Sequence, residues 1–201
     1  MTQLNCATCG AALPDRFKTA RMISCDYCGT TNAVMTDGLR ALGSAGDMDD
    51  TPSLFQLDQL VDVAGRLLLP VGHARFDYGR GWWDEYWCLE GDAGLWLSVD
   101  EGDIVVETPL PVTLWPVDEP KRLGQMIAIP REGPVYTVTE IEAASCMAVR
   151  GAFPEVLDLG EPHRYVDLTG PNGWAATYEE WDSGAAWFTG QWVDPWKVRA
   201  Q

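Results

Sequence analysis

WWDEYWCLEGDAGLWL, residues 82–97, is the stretch that predicts the fold of most of this chain. Two runs rich in aromatic and apolar residues flank a glycine-containing turn, which is typical of an antiparallel hairpin. Alternation puts successive side chains of the first run on opposite faces of the strand. One face carries Trp82 and Tyr86, and the other carries Trp83 and Glu85. Both faces are aromatic, so the strand is either covered on both sides or part of a contact surface.

Beyond residue 65 the chain continues as short runs rich in Val, Ile, Trp, Tyr and Thr. Turn sequences separate them at residues 90–94, 100–103, 169–173 and 182–184. Closely spaced strands without long helical patterns predict a mainly β fold, an antiparallel sandwich or barrel. A second Trp-rich hairpin, from Trp174 through Tyr178 to Trp187, is similar to the first. The hairpins suggest two similar halves, with chance similarity as the alternative.

Four cysteines near the N-terminus have the spacing of a metal site. They form two pairs, Cys6 with Cys9 and Cys25 with Cys28, and each pair is followed by glycine. Four thiolates in two CxxC pairs fit tetrahedral Zn²⁺ and leave no coordination position for water or substrate. We therefore predict a zinc ribbon with structural Zn²⁺. The same spacing also allows two disulfides or an iron centre of the rubredoxin type.

The composition divides the chain into three parts. Residues 1–42 hold the predicted zinc ribbon, residues 43–53 a linker, and residues 54–201 a Trp-rich antiparallel β domain. The linker prediction rests on a run of small, acidic and turn-forming residues. Moderate helical spacing on either side predicts short helices at residues 37–42 and 54–61.

The overall charge narrows the classes of partner. The 201 residues include 30 acidic side chains against 14 of Lys and Arg, a net charge of −16. Residues 1–40 are nearly neutral, so the β domain holds the excess and should repel nucleic acid. No run of 18 apolar residues and no signal-peptide pattern occurs, which predicts a cytoplasmic protein without a membrane span. Cys88 and Cys146 lie in apolar runs and are predicted to be buried.

Several short motifs resemble one protein family. They are the pairing of Trp83-Asp84-Glu85-Tyr86 with Trp96-Leu97, then residues 151–154, residues 165–168, Tyr178-Glu179 and Gly190. Together with the ribbon they resemble the bacterial domain-of-unknown-function family numbered 4178, over about residues 54–196. The resemblance implies an all-β module without established catalytic activity, often attached to a zinc ribbon. Members are associated with gene neighbourhoods of membrane-stress and polyamine-synthase-like proteins, which implies a role through such a partner.

Ten Trp residues in an acidic chain favour a binding function. We expect a non-catalytic zinc-binding adaptor that acts through a protein partner. The candidate contact residues are Trp82, Trp83, Glu85, Tyr86, Trp87, Trp174, Tyr178 and Glu179.

Two other functions stay open at this point. One is the binding of a small cation such as a polyamine in an acidic aromatic pocket, because cations stack well on Trp faces. The other is a hydrolase-like enzyme that uses Glu85 and Glu179 as paired carboxylates, with His73 or His163 as proton carrier. Motifs for a serine nucleophile or a phosphate-binding loop are absent.

Overall fold

The structure is a computed structural model that describes residues 3–49, 51–131 and 133–201. Asp50, which falls in the predicted linker, lies outside the described residues. Within these ranges the chain forms fourteen β-strands and three short 3-10 helices, and no α-helix. The prediction of a mainly β, antiparallel fold is confirmed.

The strands follow one another closely along the chain. They are β1 (Met22–Ser24), β2 (Thr30–Met35), β3 (Gly38–Ser44), β4 (Val61–Val63), β5 (Arg66–Asp77), β6 (Trp82–Glu90), β7 (Ala93–Asp100), β8 (Asp103–Pro109), β9 (Met126–Ala128), β10 (Val135–Phe153), β11 (Pro162–Thr169), β12 (Trp174–Trp181), β13 (Gly184–Val193) and β14 (Val198–Ala200). The 3-10 helices are Val112–Leu114, Pro171–Gly173 and Pro195–Lys197.

Eight of the strands close into a barrel. Strands β5 to β8 pair in sequence, and β10 to β13 do the same. Strand β8 then pairs with β13, and β5 pairs with β10, so the ring of hydrogen-bonded strands has no free edge. Every pair in the ring is antiparallel.

The barrel consists of two halves of four strands each, β5–β8 and β10–β13. The two Trp-rich hairpins do not occupy equivalent places in these halves. The first hairpin is β6–β7, the second and third strands of its half, whereas the other is β12–β13, the third and fourth. The likeness between the hairpins is therefore separate from the two-part arrangement of the barrel.

The barrel strands are covered on both faces, which accounts for their aromatic residues on either side. Inside, Trp87 and Trp96 face each other with ring centroids 5.2 Å apart. Outside β5–β8, the strands β4 and β14 and the side chain of Phe55 form a second apolar layer. Outside β10–β13, Leu110, Ile127 and further apolar residues form a third layer.

The N-terminal strands extend the barrel sheet. Strand β10 is 19 residues long, and after pairing with β5 its end pairs with β1, with Met22 opposite Phe153. Met22 is fully buried among the interior residues of the barrel. The boundary predicted between the ribbon and the β domain remains a prediction.

The two short helices predicted beside the linker do not form. Residues 38–44 are strand β3, because their backbone groups pair along β2. Residues 54–60 are turns and bends that lead into β4, and Phe55 is buried against the outside of the barrel. Burial of a single aromatic anchor and sheet pairing outweigh the weak helical spacing there.

Candidate functional site

Four carboxyl groups lie inside the barrel. They belong to Glu85 on β6, Glu107 on β8, Asp167 on β11 and Glu179 on β12. Alternation along each strand points them inward, and at least one sequence neighbour of each carboxyl residue joins an outer apolar layer. Two cavities, of about 130 and about 210 Å³, both have Glu85, Glu107 and Glu179 in their walls.

The larger cavity leads toward the β7–β8 turn. Asp100, Asp103 and Glu140 add acidic groups at this opening, which we call the Asp100 mouth. Trp83 and Tyr165 supply aromatic walls.

The smaller cavity leads toward the opposite ends of the same strands. Its lining includes three further acidic residues from the loop between β10 and β11, Glu155, Asp158 and Glu161. The aromatic part of its lining, which we call the His163 end, consists of Phe76, Trp96, His163, Trp181 and Phe188. Both openings of the interior are therefore acidic.

Few hydrogen bonds satisfy the interior carboxyls. The Trp83 indole Nε1 donates to Glu85 Oε1 at 2.9 Å. The Thr177 hydroxyl lies 3.1 Å from Glu107 Oε1 and 3.2 Å from Asp167 Oδ1, and it can donate to only one of them at a time. Among the described residues, no hydrogen-bond or ion-pair partner is found for the carboxyl of Glu179.

Burial and mutual repulsion raise the pKa values of all four groups. Burial, with the nearby charge of Asp167, raises the pKa of Glu85 to about 7 and that of Glu107 to about 8. Burial and the charge of Glu140 raise the pKa of Asp167 to about 7. The pKa of Glu179 is raised well above its ordinary value by burial and by Glu85. The cluster therefore retains protons near neutral pH unless a positive charge lies beside it.

His163 adds an unpaired nitrogen to this interior. The residue is 5% exposed, and its Nε2 atom has no hydrogen-bond partner among the described residues. Its ring stacks on Trp181 at 5.6 Å and meets Phe76 edge-on at 5.5 Å. Burial lowers the pKa of the imidazole, so the ring is neutral at pH 7.

The four N-terminal cysteines form a second site that can hold a metal ion. Their sulfur atoms all lie within 4.8 Å of one another. The Cys6–Cys28 and Cys9–Cys25 Sγ distances are both 3.7 Å. Asn32 Nδ2 approaches Cys6 Sγ at 3.7 Å and orients this ligand from outside the cluster.

The carboxyls of the barrel do not form a comparable metal cluster. Within the described ranges, the only group of three or more His, Cys, Asp or Glu side chains close enough to share an ion is the cysteine cluster. The interior carboxyls are instead distributed along the cavities. Their spacing therefore differs from that of the cysteine sulfurs, which lie close enough to share one ion.

The structure brings together only some of the residues predicted to form the site. Glu85, Glu179 and Trp83 line the interior, and Trp87 lies inside against Trp96. The others lie outside the barrel wall: Tyr86 and Tyr178 in the two outer layers, Trp174 against one of them, and Trp82 at the surface with Arg75 over its ring at 3.8 Å.

His73 does not join Glu85 and Glu179. It bonds through Nε2 to Asp84 at 2.9 Å and stacks on Tyr86, so it lies on the outer side of the wall. It cannot serve these two carboxylates as the proton carrier considered from the sequence. The other candidate, His163, does line their cavity.

Glu107 and Asp167 were missed from the sequence. Glu107 follows Val105 and Val106, Asp167 lies between Val166 and Leu168, and each stands at an inward position of the alternation. An acidic residue at the inward position of an otherwise buried strand was the available signal. Cys88 and Cys146 are buried as predicted, and burial raises the pKa of Cys146 to about 12.

Comparison with known proteins gives one match. The family described as "Domain of unknown function (DUF4178)" matches residues 56–195. No curated protein and no solved structure matches the chain. In the described part of the chain, no helix has the length and apolar character needed to cross a membrane.

Proposed function

Because the chain belongs to the DUF4178 family, whose description assigns no activity, we propose from the site itself that the barrel interior binds a small organic cation, a linear polyamine by class. One observation carries this proposal. Four carboxyls line one interior, Glu107 buried and the other three half-buried, and no described basic side chain pairs with them.

Electrostatics supports a cationic ligand. A buried carboxylate costs several kcal/mol unless an opposite charge or several donors compensate it. Protonation reduces this cost in the unliganded protein, and ammonium groups would offset it in the complex. The acidic openings at both ends would also attract a cation from solution.

The aromatic walls support an organic cation. Trp83 and Tyr165 at one end, and Trp96 and Trp181 at the other, present ring surfaces to the same cavities as the carboxyls. Methylene groups pack on such rings, and ammonium groups are attracted to their faces. A polyamine alternates these two kinds of group along its length.

The test compares two neighbouring residues on opposite faces of β12. Glu179 faces the interior, whereas Glu180 is exposed and lies 3.3 Å from Arg164. We expect saturable binding of spermidine to the zinc-loaded wild type by calorimetry. Glu179→Gln should weaken binding about tenfold, because one charge-assisted contact is lost, and Glu180→Gln should leave binding unchanged.

The opposite result would overturn the proposal. A folded wild type that shows no saturable heat or Trp fluorescence change with millimolar spermidine does not use this interior for polyamines. Equal effects of the two substitutions would assign any binding to general surface charge.

The same interior favours binding over catalysis in our proposal, and we propose no enzymatic activity.

We further propose that the cysteine cluster holds structural Zn²⁺. Tetrahedral Zn–S bonds of about 2.3 Å put sulfurs about 3.8 Å apart, close to the 3.7 Å seen for two of the pairs. Elemental analysis of the purified protein distinguishes zinc from iron.

We propose a protein partner as a second function, carried by the ribbon. Tyr27 lies in the second cysteine knuckle and is 83% exposed, although Tyr is a large and partly apolar side chain. Exposed Tyr residues are common anchors at interfaces. Capture of a stoichiometric partner by wild type, and its loss with a folded Tyr27→Ser variant, is the expected result. Equal capture by both would contradict this role for the ribbon.

A further inference from the structure

The surroundings of His163 indicate which of its two ring nitrogens carries the hydrogen. Strand pairing sets His163 opposite Ala144 of β10. The interaction with the Ala144 backbone favours a ring nitrogen that carries a hydrogen. Because Nε2 has no hydrogen-bond partner, we assign that hydrogen to Nδ1. The neutral ring therefore carries its hydrogen on Nδ1 and presents a lone pair at Nε2.

None of the described residues donates a hydrogen bond to that lone pair. The ring is held between Trp181 and the edge of Phe76. The polar side chains that share its cavity are mainly acidic, with Ser98 and Ser183 besides, and none of them is within hydrogen-bond distance of Nε2. A buried acceptor without a donor destabilises the protein, so a ligand that brings an N–H group would be favoured.

The inference rests on the cation site proposed above. We propose that His163 determines the specificity of this site: Nε2 accepts a hydrogen bond from an ammonium N–H of the ligand, so primary and secondary amines are selected over quaternary ammonium ions. Carboxylates and aromatic faces attract both kinds of cation. A quaternary nitrogen has no hydrogen to donate and would leave Nε2 buried and unpaired.

This contact also orients the ligand. One ammonium group lies at the His163 end, and the remaining positive charges extend past Glu85 and Glu179 toward Glu107 and Asp167. The carboxylates supply attraction along the whole length of the interior. His163 supplies the one contact that requires an N–H group.

The test uses a matched pair of ligands on the full-length, zinc-loaded protein. The ligands are 1,5-diaminopentane and its bis-quaternary analogue with three methyl groups on each nitrogen. By calorimetry, wild type should bind the diamine at least about tenfold more tightly. His163→Phe keeps the ring packing but lacks the acceptor, so its affinity for the diamine should fall while that for the analogue stays the same.

A control separates hydrogen bonding from size and charge. Glu179→Gln should weaken both ligands and keep their ratio, because it removes charge without changing the acceptor. If the preference came from the bulk of the methyl groups, His163→Phe would retain it. A folded His163→Phe variant that keeps the wild-type ratio overturns the inference.

A second measurement avoids dependence on a variant that fails to fold. In ¹⁵N spectra of the wild type, the Nε2 resonance should move when the diamine binds and stay in place with the quaternary analogue. An Nε2 resonance unmoved by saturating diamine overturns the inference and leaves the cation site intact. Wild type that binds neither ligand nor spermidine overturns the proposed function itself.

Discussion

Glu107 lies directly opposite Gly190 in the register of β8 and β13. A Cβ atom on residue 190 would lie 2.7 Å from Glu107 Cγ and 2.0 Å from the carbonyl oxygen of Val106. Because Gly190 has no side chain, the Glu107 side chain has room to extend past it into the interior. The buried carboxyl and the glycine therefore form one structural unit.

Gly190→Ala should destabilise the protein by about 2 kcal/mol or more, because the added methyl group meets backbone as well as side chain. Urea unfolding of the zinc-loaded protein measures the change. A loss below about 0.5 kcal/mol would show that the two strands separate easily at this point.

Glu107→Gln should stabilise the unliganded protein at about pH 8. The amide keeps the size of the side chain and its contact with Thr177 but removes a charge that burial disfavours. We expect a gain of about 1 kcal/mol in the free energy of unfolding. The surface change Glu180→Gln is the control and should give no gain. A destabilised Glu107→Gln variant would mean that the carboxylate is compensated by a group other than a ligand.

The stability of the unliganded protein should fall as the pH rises. The folded chain keeps protons on Glu85, with a pKa of about 7, and on Glu107, with a pKa of about 8. The unfolded chain releases them near pH 4.3. This contribution is therefore fully present below about pH 4 and is lost as the pH rises through 7 and 8.

Melting temperatures measured from about pH 6 to about pH 9 test this dependence. Saturating spermidine should reduce the fall, since ammonium groups replace the lost protons. A melting temperature that rises over the same range would contradict the raised pKa values.

Cys25→Ser should release the metal and unfold the ribbon while the barrel remains folded. Structural zinc supplies about 10–16 kcal/mol of apparent binding energy in small domains, and this energy is local to the ribbon. The barrel should nevertheless lose some stability, because Met22 leaves its interior. Hydrogen exchange on the two parts, with a chelator-treated wild type for comparison, measures both effects. One cooperative loss of both parts would contradict the separation.

Local pattern was enough to predict the strands but not the interior of the barrel. Alternation put Glu85 and Trp83 on one face, yet both faces of β6 are aromatic, so the pattern alone did not say which face was inside. The site also needs Glu107 and Asp167, which lie on strands far apart in the chain. Their meeting depends on the pairings that close the ring, and no local propensity encodes those pairings.

The cysteine spacing was more informative, because its four ligands and their turns lie within 23 residues of sequence, from Cys6 to Cys28. Gly10 and Gly29 take positive φ angles of 74° and 66° as each knuckle requires. Metal geometry restricts such a segment to few arrangements. The short helices predicted at residues 37–42 and 54–61 do not form, because the first segment pairs with β2 and the second buries Phe55 against the barrel.

Closure of the ring by β13 has a consequence during synthesis on the ribosome. Val105 of β8 lies opposite Trp192 of β13. The edge of β8 therefore stays unpaired until β13, the last strand of the barrel, has been made. Until about residue 193 has emerged, the acidic interior stays open to water and its carboxylates stay ionised and hydrated. The nascent chain can therefore complete the proposed cation site only after β13 has been made, when burial and proton uptake occur together.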